Sequence, residues 1–409
     1  MRMSKKKANV LLIVSLIVSL IAVAGIVIAL HTGIISEETG KPAETTTRTD
    51  AAEVAEVPVE PLDVLFFASD YQAEEGWDAP AATLDGILKK VSEDGKTLTN
   101  AIFCGDYTND RHLHDYQLSP DESIEEIRGV VVSDCSSISQ DNIIFVQGNH
   151  DQLTDSITAE GLHEYDNYLV YVLNTEYGFP WKQGRDTLFR ERVIDTAAEM
   201  QECFNKLAED EETRPLFIAG HVPLHFTART SSRHTTGDNM YAEYVFDAVN
   251  KAAESLDIVY LVGHNHSKGW DCYLGGSSIF KSPGDTILIP EAGGNTVNTD
   301  SYTEETLNFT YMNAGYLGYY MNCGPEELDN GTYDMYHAAD ETLTGSVCEI
   351  MPDELIIFRY SAEGLHPLSW DGEGDPYKNY IDSGLIGEES YSIRVNSPVH
   401  IPRKSNSKS

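Results

Sequence analysis

The chain has 409 residues, enough for two average domains or for one large α/β domain with appendages. A hydrophobic share of 41% supplies a substantial core and excludes wholesale disorder. A formal net charge of −38 repels phosphate backbones, which excludes a nucleic-acid polymer as a casual partner unless a basic channel or a bound metal intervenes.

The chain opens on Arg2, Lys5, Lys6 and Lys7, followed by an apolar stretch from Val10 to Leu30. About 20 such residues cross a bilayer as a helix, and the basic cluster stays in the cytoplasm. Residues 1–31 are therefore read as a basic stub and a signal-anchor. The cell membrane becomes a partner through that helix, with everything after His31 outside the cytoplasm. The alternative is secretion after signal cleavage, with Ala22-Val23-Ala24 as the small-residue site. The apolar run is longer than the 7–15 residues usual in a signal peptide. Residues 32–61 are Glu-, Thr-, Ala- and Pro-rich and form an expected flexible tether. The six cysteines fit an oxidising compartment, with no C-x-x-C pair to support zinc-finger or thioredoxin chemistry. Their pairing is left open.

From Leu62 the texture changes. Short runs rich in Ile, Val, Leu and Phe predict strands at Leu62–Ala68, Thr99–Cys104, Asn142–Gln147, Leu169–Leu173, Pro215–Ala219, Asp257–Val262 and Thr286–Ile289. Spacings of three and four predict helices at Asp78–Val91, Asp121–Val132, Arg190–Ala208 and Tyr241–Ser255, with Asp78-Ala79-Pro80 as a helix start. Ser346–Met351 and Glu354–Tyr360 read as an antiparallel hairpin turning at Pro352-Asp353. Alternation of strand and helix gives an α/β class. Residues 62–361 form the expected catalytic domain, and 362–409 an extension of unknown role, partly disordered.

Five predicted strands end in polar clusters: Ser69-Asp70-Tyr71-Gln72, Gly105-Asp106-Tyr107-Thr108-Asn109-Asp110, Gly148-Asn149-His150-Asp151, Gly220-His221-Val222-Pro223 and Gly263-His264-Asn265-His266. Ligands bind at the carboxyl ends of strands in α/β sheets, so these clusters are expected to converge. Asp70, Asp106, Asn149, His221, His264 and His266 offer oxygen and imidazole and no thiolate. That mixture suits Mn, Fe, Zn, Ni or Co, and suits Ca poorly. Six ligands suffice for two ions if one carboxylate bridges them, and a two-metal site can hold a hydroxide and clamp a phosphoryl group.

In this order the clusters resemble the calcineurin-like metallophosphoesterase family, whose pattern is D-x-H, G-D-x-x-[DN], G-N-H-[DE], G-H and G-H-x-H. The resemblance spans roughly Leu62 to Tyr360. It implies a four-layer α/β/β/α sandwich and two divalent cations, with Mn, Fe or Zn foremost. The substrate it implies is a phosphomonoester or phosphodiester of a small molecule, lipid or glycan. Carried over by position, Asp106 bridges the ions, Asp70, Gln72 and His266 bind the first, and Asn149, His221 and His264 bind the second. His150 protonates the leaving oxygen or binds the phosphoryl group, while Asp151 and Asn109 orient their neighbours. One position departs from the pattern: Gln72 stands where His is usual, with a neutral and weaker donor. A lower affinity for the first metal is expected, and Gln72→His is expected to raise it. A surface-anchored binding or scaffold protein with a decayed centre is the rival reading, supported by Gln72 alone.

Softer candidates are loop residues. His225 is equally a pocket wall or a substrate contact. Solvation is the simpler account of Arg229, Arg233 and His234, and of Arg111, His112 and His114. Tyr311, Tyr316, Tyr319 and Tyr320 are expected to pack a sheet before they line any sugar or base site.

Overall fold

A computed structural model describes residues 59–73, 79–108, 118–151, 153–174, 186–224, 241–264, 280–290, 302–318, 326–327, 333–334, 343–363, 369–370 and 392–404. The expected membrane anchor, most of the expected tether, the Asp78 cap and the loop candidates His225, Arg229, Arg233, His234, Arg111, His112 and His114 lie outside these residues. Among those described, no helix is long and apolar enough to cross a membrane.

The strands and helices of the unit Val59–Ser409 run β1 (Asp63–Ala68), α1 (Ala79–Glu93), β2 (Asn100–Phe103), α2 (Pro120–Asp134), β3 (Ile143–Phe145), β4 (Gly161–Glu164), β5 (Leu169–Val172), α3 (Asp186–Glu209) and β6 (Leu216–Ala219). They continue with α4 (Ala242–Ala252), β7 (Ile258–Val262), β8 (Phe280–Lys281), β9 (Thr286–Pro290), β10 (Tyr302–Thr306) and β11 (Thr310–Asn313). The last are β12 (Glu326–Glu327), β13 (Tyr333–Asp334), β14 (Leu343–Ile350), β15 (Glu354–Glu363), β16 (Ser369–Trp370), β17 (Ser392–Val395) and β18 (Val399–Pro402). One mixed sheet has the order β17-β15-β14-β1-β2-β3, with β18 also on β15, and a second has the order β4-β5-β6-β7-β11-β8. Strands β1, β2 and β3 are mutually parallel, as are β5, β6, β7 and β11. Their carboxyl ends therefore gather at one edge of each sheet.

Period-two alternation sorts the apolar side chains. In β1, Leu65 and Phe67 join Val170, Phe217 and Leu261 of the second sheet in one buried cluster. Val64 and Phe66 face the other way, onto Leu84 and Ile87 of α1 and Ile127 of α2. Across the second sheet, Tyr171, Ile218 and Tyr260 pack against Met200 and Phe204 of α3 and Val245 and Val249 of α4. Burial on both faces explains why the strands read as continuous apolar runs. Helix α2 begins with a capping box: Ser119 Oγ accepts from the Glu122 N–H at 3.3 Å, and Glu122 Oε2 accepts from the Ser119 N–H at 2.8 Å. Mixed α/β sheets of this kind are consistent with the expected fold.

The predicted strand at Thr286–Ile289 forms as β9 and pairs with β10 in a two-stranded sheet apart from both main sheets. The sheet position beside β7 is taken instead by β11, which the sequence reading missed. The stretch after Ser361, expected as an appended extension, returns to the first sheet: β17 and β18 both pair antiparallel with β15.

Beyond β18 the chain becomes a strap between the sheets. Arg403 Nη2 donates to Thr213 O at 2.7 Å, and the Lys404 N–H donates to Asp257 Oδ1 at 2.8 Å. Lys404 Nζ donates to the carbonyls of Ala253, Leu256 and Asn308, just beyond the end of α4, where a cation is favoured. Lys404→Ala is expected to lower stability by about 1–2 kcal/mol. A urea midpoint that falls at unchanged slope would show it.

Candidate metal centre

Four site residues adopt a backbone that side chains usually avoid. Asp70 has φ 52°, Gln72 46°, Asp106 57° and His264 66°, and they are four of the six non-glycine residues with positive φ among those described. Such strain costs about 1–3 kcal/mol at each position and persists only where the surroundings fix it. Here the loops fix one another. Asp70 N–H donates to Gly105 O at 2.9 Å, and Gln72 N–H to Asp106 O at 2.9 Å. Asp151, buried, accepts from the N–H groups of Asp106, Gly148 and Tyr107 at 2.7–2.8 Å, which ties the loop after β2 to the loop after β3. Close approach needs glycine at two places. A Cβ on Gly148 would lie 2.2 Å from Asp106 Oδ1, and one on Gly263 would lie 1.8 Å from Ser69 Oγ.

The side chains then converge. His221 Nδ1 donates to Cys104 O at 2.6 Å, which leaves the Nε2 lone pair facing inward, 3.0 Å from Asn149 Oδ1 and 3.2 Å from Asp106 Oδ2. His264 Nδ1 lies 2.6 Å from the same Asn149 oxygen. The two imidazole rings stand 5.3 Å apart at 83°. Asp106 Oδ2 is buried without a partner in hydrogen-bond geometry, although His221 Nε2 is near. Asp106, His221 and His264 thus hold ligand atoms within 4.8 Å of one another, and all three residues are buried.

This set passes a simple test for a metal. Asp106 Oδ2 and Asn149 Oδ1 are acceptors, and so is His221 Nε2 whenever the ring carries only the proton on Nδ1. Acceptors packed at these distances repel unless positive charge lies among them, and burial makes that charge more necessary. A proton supplies it in part. Burial alone would raise the Asp106 carboxyl, but His221, His150 and His264 outweigh it and hold that group far below the carboxylate range. Burial likewise opposes charge on His221, yet Asp106 lifts its imidazole to about 9. A divalent cation of borderline softness fits the same oxygen and nitrogen set, and has to displace that proton. Metal affinity is therefore expected to rise with pH up to about 9 and to level off above it. Mn²⁺ titrations at a pH series on either side of that value would show the break.

The remaining predicted residues fall around this core. Asp70 is fully buried, and its carboxylate accepts the His264 N–H at 2.9 and 3.2 Å. Gln72 is 1% exposed beside it. His150 is buried; its N–H donates to Asp106 Oδ1 at 2.9 Å, and its Nε2 stands 3.8 Å from Asp106 Oδ2. His266 and Asn109 lie outside the described residues. Tyr311 and Tyr316 are core residues at 1% exposure, while Tyr319 and Tyr320 are not described. Among the described cysteines, Cys104, Cys135, Cys203 and Cys348 are free thiols.

Sequence reasoning missed three supports. Cys104 serves through its carbonyl, which also accepts from Ser69 Oγ at 2.8 Å. The segment Ala314–Gly318 lies along Asp70–Gln72, with the Leu317 N–H donating to Ser69 O at 3.1 Å and the Gly318 N–H to Asp70 O at 2.5 Å. Behind that segment, Ser346 Oγ donates to Ala314 O and accepts from the fully buried Arg359. Only Gly315-Tyr316-Leu317-Gly318, a paired-glycine segment after an apolar run, offered a sequence signal.

A sequence model of calcineurin-like phosphoesterases matches residues 64–268. Among solved structures, the chain is similar to a single mutant of Vps29 from Entamoeba histolytica, at 10% identity over 83% of this chain and 99% of that one, with a TM-score of 0.29. It is similar to Vps29 from Chaetomium thermophilum at 9% identity over 83% and 98%, with a TM-score of 0.30. A comparison with curated proteins gives no match.

Proposed function

The chain belongs to the calcineurin-like phosphoesterase family, and from that premise we propose that it is a metal-dependent phosphoesterase that binds two divalent cations in a four-layer α/β/β/α sandwich. The observation that carries this reading is the convergence of Asp106 Oδ2, Asn149 Oδ1, His221 Nε2 and His264 Nδ1 as four oxygen and nitrogen atoms able to ligate a cation. In this reading Asp106 would be shared between the ions, Asp70, Gln72 and His266 would hold one, and Asn149, His221 and His264 would hold the other. When bound, the ions supply positive charge that lowers the pKa of water and offsets charge building on the phosphoryl group. The chain's own residues do the rest. Cys104 O fixes the His221 tautomer, and Asp151 holds the two loops at their spacing. His150 delivers a proton to the leaving oxygen or holds the phosphoryl group. The substrate is a phosphorylated small molecule, lipid or glycan. The acidic balance and the basic-then-apolar start favour a membrane-anchored enzyme working outside the cytoplasm on something other than a polynucleotide.

The test is metal content together with hydrolysis of a chromogenic diester and monoester. Two ions per chain and turnover abolished by chelation are expected. One ion or none, with no turnover across added Mn, Fe, Zn, Ni and Co, would replace this reading with that of a binding protein.

A further inference from the structure

Gln72 stands at the one departure from the family pattern, and its surroundings are unusual. Its side chain is 1% exposed, and among the described residues neither Oε1 nor Nε2 has a hydrogen-bond partner. Buried amides are nearly always paired, because each polar atom withdrawn from water without a partner is costly. The residue is not free to turn outward. Its φ is 46°, its N–H is bonded to Asp106 O, and Ala73 bridges Thr108 immediately after it. From the other side Gly318 closes in, and a Cβ there would lie 3.0 Å from Gln72 Cβ and 2.4 Å from Asp70 O. A strained, doubly unpaired amide is thus held against the backbone of the carboxylate that anchors the metal centre.

A cation satisfies only half of that amide. It can meet the carbonyl oxygen, but the NH2 group needs an acceptor, and the acceptor a phosphoesterase brings to its metals is a phosphoryl oxygen. We propose that Gln72 serves both partners at once, with Oε1 toward the first metal and Nε2 donating to a non-bridging oxygen of the bound phosphoryl group. This rests on the phosphoesterase reading above and deepens it. The oxygen and nitrogen of an amide share one carbon and point to the same side. The two nitrogens of imidazole diverge, so a ring that ligates through one aims the other away. Histidine at position 72 would therefore be the stronger metal ligand and the poorer phosphoryl contact. Gln72 is thus a phosphoryl-binding residue as well as a metal ligand.

The experiment uses the full chain in detergent, with Mn²⁺ and inorganic phosphate as probes in calorimetric titrations. Wild type is expected to take two Mn²⁺ per chain and then phosphate. Gln72→His is expected to bind the first Mn²⁺ more tightly yet to bind phosphate about tenfold more weakly, the loss of one hydrogen bond to an anion. Gln72→Met covers the case in which the ring does not fit. It gives up the first Mn²⁺ and phosphate together, and the metal-free variant melts above metal-free wild type because an unpaired buried amide is gone. Phosphate bound by Gln72→His as tightly as by wild type would overturn the proposal, leaving Gln72 a substituted ligand. A metal-free Gln72→Met protein that melts lower would overturn it too, since the amide would then be structural. Wild type that takes up none of Mn²⁺, Fe²⁺, Zn²⁺, Ni²⁺ and Co²⁺ would overturn the phosphoesterase reading itself, a result separable from either variant's behaviour.

Discussion

Replacing Asp106 by Asn is expected to empty the metal centre and, at high pH, to make the metal-free protein more stable. Two facts lead to both halves. Asp106 Oδ1 accepts the His150 N–H, and Oδ2 is buried 3.2 Å from His221 Nε2 with no partner in hydrogen-bond geometry. An Asn side chain can keep the first contact through its oxygen and place an NH2 group where Oδ2 stood, facing His221 Nε2. It thereby removes the negative charge that draws the cations in. Loss of the shared carboxylate takes both ions, and turnover should fall by about 1000-fold or more. The stability half depends on pH. Below the raised His221 value of about 9, wild type holds Asp106 and His221 as an ion pair, a favourable interaction that the variant gives up. That contribution disappears as pH rises through 9. Above it wild type is left with facing acceptors, and the variant should be more stable by about 1–3 kcal/mol. Metal analysis and denaturant melts of metal-free protein on both sides of that pH test the two halves. A variant that still carries two ions per chain would show that Asp106 is not shared.

How far the sequence carries such an argument depends on what a side chain answers to. The strands at Asp63–Ala68, Asn100–Phe103 and Ile258–Val262 were legible because burial on both faces writes itself as an unbroken apolar run. The same texture gave the strand at Thr286–Ile289, which pairs with β10, while Thr310–Asn313 passed unnoticed although all four of its residues are buried. Its place is set by β7 in parallel register, a long-range pairing with no local mark. Arg359 is a sharper case. A guanidinium in a hairpin strand reads as outward-facing, yet it is fully buried, donates to Ser346 Oγ at 2.7 Å, and has its pKa pushed down to about 9 by burial. Arg403 and Lys404, within the stretch expected as an extension of unknown role, prove to be the strap between the sheets.

The candidate site was legible in its chemistry and illegible in its geometry. Glycine beside Asp, Asn or His after four of the five apolar runs, and Ser69-Asp70 after the first, named most of the residues. Nothing local showed that Asn149 Oδ1 lies between two imidazoles. That placement depends on left-handed turns at Asp106 and His264 and on a carbonyl at Cys104, distant in the chain from His221. Nor does composition reveal that Gln72 is buried without a partner. Strain and unmet polarity are properties of the assembled loops, and at this edge of the sheets they coincide.

His150→Ala is expected to keep both metals and to lose turnover by about 100- to 10,000-fold. His150 stands apart from the ligand atoms: the close set is Asp106, His221 and His264, and His150 Nε2 is 3.8 Å from Asp106 Oδ2. What His150 gives Asp106 directly is its backbone N–H, at 2.9 Å, and alanine retains that. The loop should also hold, because Asp151 still accepts the Gly148 and Asp106 amides. Metal content therefore separates this variant from Asp106→Asn. The dependence on leaving group separates the two roles open to the imidazole. A proton donor matters most when the departing oxygen is basic, so its loss should be severe for an alkyl ester and slight for a nitrophenyl ester. A group that only holds the phosphoryl oxygens should cost the same for both. Rates for a short series of esters graded by leaving-group pKa, with metal occupancy checked alongside, decide between them. Full activity across the series would remove His150 from the mechanism.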